Sequence, residues 1–174
     1  MGVLTVTIKE EVSLNGTQQG ATNTLSIASV TQSFKRLVTL PADGGGSATQ
    51  TTIANFRTAV TTADGALDDD DVKYVRITNL ESTNSVTLSL QLAANGGADA
   101  STQATILLEA GKSFMLGKAV GVAAVDDDAA TATAIGSLVD LESIIAINDE
   151  NATAQLEVFI ASWYWVAKTT STLN

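Results

Sequence analysis

The stretch Val86-Thr87-Leu88-Ser89-Leu90-Gln91-Leu92 decides the fold of this chain. Its period of two places the four apolar residues on one face and Thr87, Ser89 and Gln91 on the other. That pattern is typical of a half-buried β-strand, and similar stretches recur up to the C-terminus. The sequence therefore predicts an all-β protein.

From residue 72 onward, the apolar stretches are separated by short polar or glycine-containing turns. We predict strands at Val72–Asn79, Val86–Ala93, Ala104–Leu108, Ser113–Val120, Leu138–Ile147 and Gln155–Ala167. The first two flank a single polar turn, so they are expected to pair with each other as antiparallel neighbours.

The N-terminal part of the chain is less regular. Val3–Lys9 alternates like a strand, and Asn15-Gly16 is a tight-turn signal. Leu25–Leu40 is expected to hold one or two strands that end at Pro41, because proline removes a ladder donor. Thr51–Leu67 fits a helix and a strand equally well, since its apolar spacing is helical but its threonine content favours extended chain.

About eight or nine strands in one domain favour a sandwich of two antiparallel sheets. Jelly-roll connectivity is the expected topology, with a closed barrel as the alternative. A single domain should span residues 1–174, with residues 1–10 as an extended N-terminal arm or an added strand. Residues 42–50, around Gly44-Gly45-Gly46, are predicted to form a flexible loop.

The composition excludes several classes of function, and no single motif does as much. The chain of 174 residues carries a formal net charge of −10, which repels phosphate backbones and anionic membranes. It contains no cysteine and no histidine, so disulfides, thiolate metal sites and the commonest general base are excluded. No apolar run approaches the roughly 20 residues that span a bilayer. We expect no cofactor, no nucleic-acid partner and no membrane partner.

Enzymatic activity has little support in the sequence. No serine lies in a G-x-S-x-G motif. A hydrolase using two carboxylates remains an alternative, but it requires a defined separation between them. The candidate carboxylates are spread over several predicted strands and turns: Glu81, Glu109, Glu142 and Glu157. We therefore expect that the protein is not an enzyme.

The acidic run Asp68, Asp69, Asp70 and Asp71 is the one candidate metal site. Carboxylate oxygens in a loop are suitable Ca²⁺ ligands, but the alternating order of an EF-hand is absent. A solvated loop before a strand is the simpler interpretation, and Asp126–Asp128 is interpreted in the same way. Proximity of the two acidic loops at one end of the sandwich would favour calcium.

The densest aromatic cluster is Trp163, Tyr164 and Trp165, in the last predicted strand. Alternation leaves that strand apolar on both faces, as in a central strand or a strand covered by another subunit. Trp and Tyr are enriched at interfaces, so we predict a subunit interface there, with sugar stacking as the alternative. The N-terminal strand contributes three further candidate interface residues: Leu4, Val6 and Ile8.

Three stretches resemble small virion structural proteins of tailed bacteriophages. They are Tyr74-Val75-Arg76-Ile77-Thr78-Asn79, Leu107-Leu108-Glu109-Ala110-Gly111-Lys112-Ser113-Phe114 and Val158-Phe159-Ile160-Ala161-Ser162. The resemblance covers about half of the chain, and such virion proteins are commonly capsid decoration, or cement, proteins of the jelly-roll or β-sandwich type.

The resemblance implies a virion protein at the capsid surface, often a homotrimer. Such a protein would bind the major capsid protein, bridge neighbouring capsomers and stabilise the shell by favouring its assembled state. The N-terminal strand would add to a sheet edge of another subunit. The alternatives are a tail-fibre, baseplate or receptor-binding β-sandwich that contacts host glycans, a calcium-dependent adhesion module, and the hydrolase.

Overall fold

A computed structural model describes residues 1–45, 48–57, 66–93, 102–123 and 138–163. All regular secondary structure in these ranges is β-structure, as the alternating sequence predicts. They contain no helix that is long and apolar enough to cross a bilayer.

Thirteen strands are described, three of them only two residues long. In chain order they are β1 (Gly2–Lys9), β2 (Ser13–Leu14), β3 (Thr17–Gln18), β4 (Thr22–Val30), β5 (Gln32–Leu40), β6 (Thr49–Arg57), β7 (Leu67–Asp68), β8 (Val72–Asn79), β9 (Val86–Leu92), β10 (Thr102–Leu108), β11 (Ser113–Leu116), β12 (Leu141–Asn148) and β13 (Ala154–Ser162).

Nine of these strands form two facing sheets. One has the order β10-β9-β12-β6-β7 and the other has the order β11-β8-β13-β5. All pairs are antiparallel except β6 with β7, which runs parallel for two residues. Without β7, each sheet has four strands and the chain passes repeatedly between sheets, which is jelly-roll connectivity. The predicted all-β jelly-roll sandwich is confirmed.

One predicted pairing is wrong. β8 and β9 do not pair with each other, because β8 lies between β11 and β13 while β9 lies between β10 and β12. The six residues from 80 to 85 carry the chain from one sheet to the other. Alternation specifies which side chains face inward, but it does not specify the neighbouring strand.

The core lies between the two sheets. Val86, Leu88, Leu90 and Leu92 of β9 are buried on its inner face, as their alternation predicts. They belong to one cluster with the inward residues of β8 and β13, among them Val75, Ile77, Leu156, Val158 and Ile160. Burying each side chain of this size contributes about 1.5–3 kcal/mol.

Several predicted boundaries change. The ambiguous segment Thr51–Leu67 is a strand through Arg57, with Ile53 and Phe56 in the core, whereas residues 58–65 lie outside the described part. Thr49 and Gln50 of the predicted loop 42–50 belong to β6. β11 ends at Leu116 and β12 begins only at Leu141.

Two buried asparagines occupy equivalent places where the chain changes sheet. Asn79 ends β8 and donates from Nδ2 to the carbonyls of Asn84 (2.8 Å) and Leu108 (3.1 Å). Asn148 ends β12 and donates from Nδ2 to the carbonyls of Ala152 (2.9 Å) and Pro41 (2.7 Å). Each Oδ1 accepts the backbone N–H two residues later.

The equivalence extends to the whole sandwich. The strands correspond in the pairs β5 and β10, β6 and β11, β8 and β12, and β9 and β13. When the members of each pair are exchanged, the order β11-β8-β13-β5 becomes β6-β12-β9-β10, which is the other sheet, without β7, read from its opposite edge. Leu108 ends β10 and Pro41 follows β5, so the two asparagines also bond to equivalent strand ends. The jelly roll is therefore pseudo-twofold in its strand connectivity, with Asn79 and Asn148 in related positions.

Candidate functional site

Residues 2–30 form one long β-hairpin that precedes the jelly roll. β1 pairs with β4 from Gly2↔Val30 to Lys9↔Thr22, and β2 pairs with β3 at the tip. Asn15 and Gly16 both have positive φ, 51° and 76°, as a type I′ turn requires. The N-terminal strand is therefore not a free arm, because its partner β4 lies in the same chain.

The hairpin has one apolar face and one hydroxyl-rich face. Its register is constant from Leu4↔Ile27 to Leu14↔Thr17, and the hydrogen bonds Glu10 N–H to Ala21 and Gln19 N–H to Val12 continue it between the strands. Directly opposite residues share a face. The apolar face therefore holds Leu4, Val6, Ile8, Val12, Leu14, Leu25 and Ile27, and the other face holds Thr5, Thr7, Thr22, Thr24 and Ser26.

The proximal half of the hairpin lies on the outer face of the four-stranded sheet. Leu4 and Val6 are half-buried there, beside Tyr74 and Phe159. Cavities of about 300 Å³ and about 290 Å³ remain along the β1 side and the β4 side. The hairpin therefore covers this face without packing as closely as the core does.

The distal half extends past the sheet. At about 3.4 Å per residue, Gly2 to Asn15 spans about 45 Å, whereas the nine residues of β13 span about 30 Å. Every residue from 7 to 26 is exposed except Gly20. The exposed fractions of the apolar residues are large: Ile8 43%, Val12 44%, Leu14 54% and Leu25 54%.

A charged cluster lies at the centre of the sheet face. Glu157 accepts from Lys35 Nζ at 2.8 Å and from Arg76 Nη2, and its side chain is only 17% exposed. The hydrogen bond from Lys35, together with the charges of Lys35 and Arg76, lowers the pKa of Glu157 although burial opposes that shift. The Arg76 guanidinium lies 5.8 Å from the centroid of Phe159, which makes an edge contact with Tyr74.

Part of the same face is uncovered. Leu37 lies directly opposite Glu157 and is 65% exposed. Met115 lies opposite Arg76 and is 42% exposed, and it borders the cavity that Ile8 and Leu25 of the hairpin also line. The Lys35 side chain is 61% exposed. This uncovered part combines apolar surface with two cations and one carboxylate.

The acidic run forms a tight turn before β8. One carboxylate oxygen from each of Asp68, Asp69 and Asp70 lies within 4.8 Å of the others. Oδ1 of Asp68 and Oδ1 of Asp69 both accept the backbone N–H of Asp70, at 3.2 and 2.9 Å. Burial, then Asp68 and Asp70, raise the pKa of Asp71, and Lys73 opposes them. Local hydrogen bonds therefore account for much of this arrangement.

The predicted interface residues divide between the two ends of the chain. Leu4 and Val6 are half-buried beside their own sheet, and Ile8, which is 43% exposed, lines the same cavity as Tyr74 and Met115 of that sheet. Trp163 follows β13, is half-buried and donates its backbone N–H to Asp71 O at 2.8 Å. Tyr164, Trp165 and the acidic run Asp126–Asp128 lie outside the described residues.

The candidate catalytic carboxylates have structural partners or separate locations. Glu157 is paired with two cations, and Glu81 accepts the backbone N–H of Gln155 at 2.8 Å. Glu142 is exposed on the other sheet, and Glu109 is exposed in the turn after β10. The sequence did not identify the hairpin as a surface because residues 10–23 are mostly polar, with Val12, Leu14 and Ala21 as the exceptions. Asn15-Gly16 was the available signal.

Comparison with known proteins identifies no family. No family model matches the chain, and no curated protein matches it. A solved structure from Bacillus endospore appendages, described as forming a novel family of disulfide-linked pili, is similar at 13% identity with a TM-score of 0.38. The similarity covers 77% of this chain and 88% of that chain.

Proposed function

We propose that this protein is a non-enzymatic structural subunit that associates with copies of itself through the N-terminal hairpin. The particle it serves is, on the resemblance of its sequence, a bacteriophage capsid, where it acts as a decoration protein that bridges capsomers. The observation that carries the proposal is the apolar face of the distal hairpin, which is exposed to solvent.

The hairpin is expected to be only weakly stable in a monomer. Isolated two-stranded hairpins are marginally stable in water, and both outer edges of the β1–β4 ribbon lack a strand partner among the described residues. Four large apolar residues on one exposed face are typical of an interaction surface. A partner that covers this face would stabilise the ribbon and gain binding free energy from the same burial.

Self-association is tested by measuring the native mass of the purified chain by light scattering over a range of concentrations. We expect a defined oligomer, with a trimer favoured by the resemblance. A chain with Val12 and Leu14 both replaced by serine should remain folded and become monomeric. A monomeric wild-type chain at all concentrations would refute the proposal.

Attachment to a shell is tested separately by cosedimentation with expanded capsids. Removing residues 1–10 takes away β1, leaves β4 without its partner and should abolish binding. Unchanged occupancy of the capsid by the shortened chain would show that the hairpin has no part in attachment.

A further inference from the structure

We infer that the hairpin tip of one copy docks on the uncovered part of the four-stranded sheet of a second copy. This inference rests on the proposed self-association and specifies its two surfaces. The tip surface is defined by Glu10, Val12 and Leu14, and the acceptor surface is defined by Lys35, Leu37 and Arg76.

The two surfaces belong to the same chain but are separated within it. The proximal hairpin lies beside the acceptor surface, and the unbroken register from Leu4↔Ile27 to Leu14↔Thr17 carries the tip away from it. Bending the tip back would break ladder hydrogen bonds. Within the described residues, no hydrogen bond or ion pair joins residues 9–22 to the part of the chain beyond the hairpin. A second copy supplies the missing contact without any change in the fold.

The chemistry of the two surfaces is complementary. Leu37 is 65% exposed on the acceptor surface, and Val12 and Leu14 are exposed on the tip surface. Each side can therefore bury apolar area that is in water in the separate chain.

Charge adds a second match. Glu10 lies on the apolar face of the ribbon and makes no ion pair among the described residues, because the nearby Lys9 pairs with Glu11. The acceptor surface has two cations, Lys35 and Arg76, against the one carboxylate of Glu157. Copies of a chain with a net charge of −10 repel each other overall, so a local match of opposite charges favours one orientation of the contact over others.

The contact is heterologous, since the tip of one copy meets a different surface of the next. Such contacts close into a ring when the rotation between copies permits it and otherwise form open chains. Each copy donates one tip and accepts one tip. A closed ring of three would produce the trimer proposed above.

The test uses one substitution on each surface and a matched control. Leu14→Ser changes the tip surface, Leu37→Ser changes the acceptor surface, and Leu107→Ser changes an equally exposed leucine (62%) on the other sheet. All three sites are exposed, so the variants should fold as the wild type does, which circular dichroism checks. By sedimentation equilibrium, the first two should weaken association at least about tenfold, and the control should not weaken it.

Mixing the two defective variants distinguishes this contact from any other. Leu37→Ser chains retain an intact tip and Leu14→Ser chains retain an intact acceptor surface. An equimolar mixture should therefore form a one-to-one heterodimer that grows no further. If both variants still form the wild-type oligomer, the inference is overturned while the proposed self-association stands. If the wild-type chain is monomeric, both are overturned.

The contact between Glu10 and the two cations is tested by the dependence of association on ionic strength. Glu10→Gln should weaken association and reduce its dependence on ionic strength, because one ion pair of the contact is lost. An unchanged salt dependence in a folded Glu10→Gln chain would overturn the assigned contact between Glu10 and the cations.

Discussion

Replacing Asn148 by alanine should destabilise the sandwich by about 3 kcal/mol. The side chain is completely buried and makes three hydrogen bonds, to Pro41 O, Ala152 O and Glu150 N–H. A typical internal hydrogen bond contributes about 1 kcal/mol net, and a buried group left without its partner adds to the loss. Such a loss is a large part of the roughly 5–15 kcal/mol by which domains are stable.

The assay is urea denaturation followed by tryptophan fluorescence at one fixed protein concentration, because self-association would shift the midpoint. With a typical slope of about 1–3 kcal/mol per M, the midpoint should fall by about 1–3 M. Asn151→Ala is the matched control, since Asn151 is exposed in the same turn and makes no hydrogen bond among the described residues.

Asn148→Asp tests the direction in which stability at this site changes with pH. At neutral pH its carboxylate would face two carbonyl oxygens, which raises its pKa in the folded protein above its unfolded value of about 3.9. A raised folded pKa means that stability is retained at pH values below the unfolded pKa and lost as the pH rises. The aspartate variant should therefore be closest to wild type in acid. A cost for Asn148→Ala no larger than that for Asn151→Ala would refute the whole argument.

Three further predictions follow from other parts of the chain. Gly20→Ala should open the distal hairpin, since a Cβ there would lie 1.8 Å from Glu10 O, and amide hydrogen exchange of residues 9–22 should accelerate. The control Gly117→Ala, whose Cβ would meet nothing within 4 Å, should leave that exchange unchanged. Glu157→Gln should reduce the loss of stability in acid, measured as melting temperature against pH. The pKa of Glu157 is lowered in the folded protein, so the carboxylate stabilises the fold at pH values above its ordinary pKa of 4.5, and this stabilisation is lost as the pH falls through the folded pKa. Removing divalent cations with a chelator should leave the melting temperature unchanged, because hydrogen bonds within the turn already engage Asp68 and Asp69; a fall would instead support a calcium site.

Local alternation predicted the strands well because burial on one face is a property of each segment by itself. β8 and β9 are within one residue of their predicted bounds, and the inward face of β9 is the predicted one. Pairing was predicted badly for the same reason. The turn after Asn79 looks like a hairpin turn in the sequence, but Asn79 bonds to the end of β10, which is distant in the chain.

The candidate surface depended on information that the sequence contains only in part. Leu4, Val6 and Ile8 were recognised as one face of a strand, and Asn15-Gly16 as a turn. The partner strand β4 was hidden because Thr22–Val30 is rich in small polar residues and was grouped with the next strand. That Leu37 and Met115 lie on one sheet face became visible only from the register of β5, β13, β8 and β11.

The position of β13 has a consequence for how the protein is made. β13 lies between β5 and β8, so its two neighbours are synthesised long before it, as the pairs Leu40↔Ala154 and Asn79↔Leu156 indicate. Until β13 leaves the ribosome, two strands remain with open edges, and chain pairs so distant in sequence form slowly. A chain without β13 lacks Glu157, and therefore lacks the charged cluster at the centre of the four-stranded sheet face. In the proposed self-association, a nascent chain would therefore become able to accept a partner only after β13 is in place.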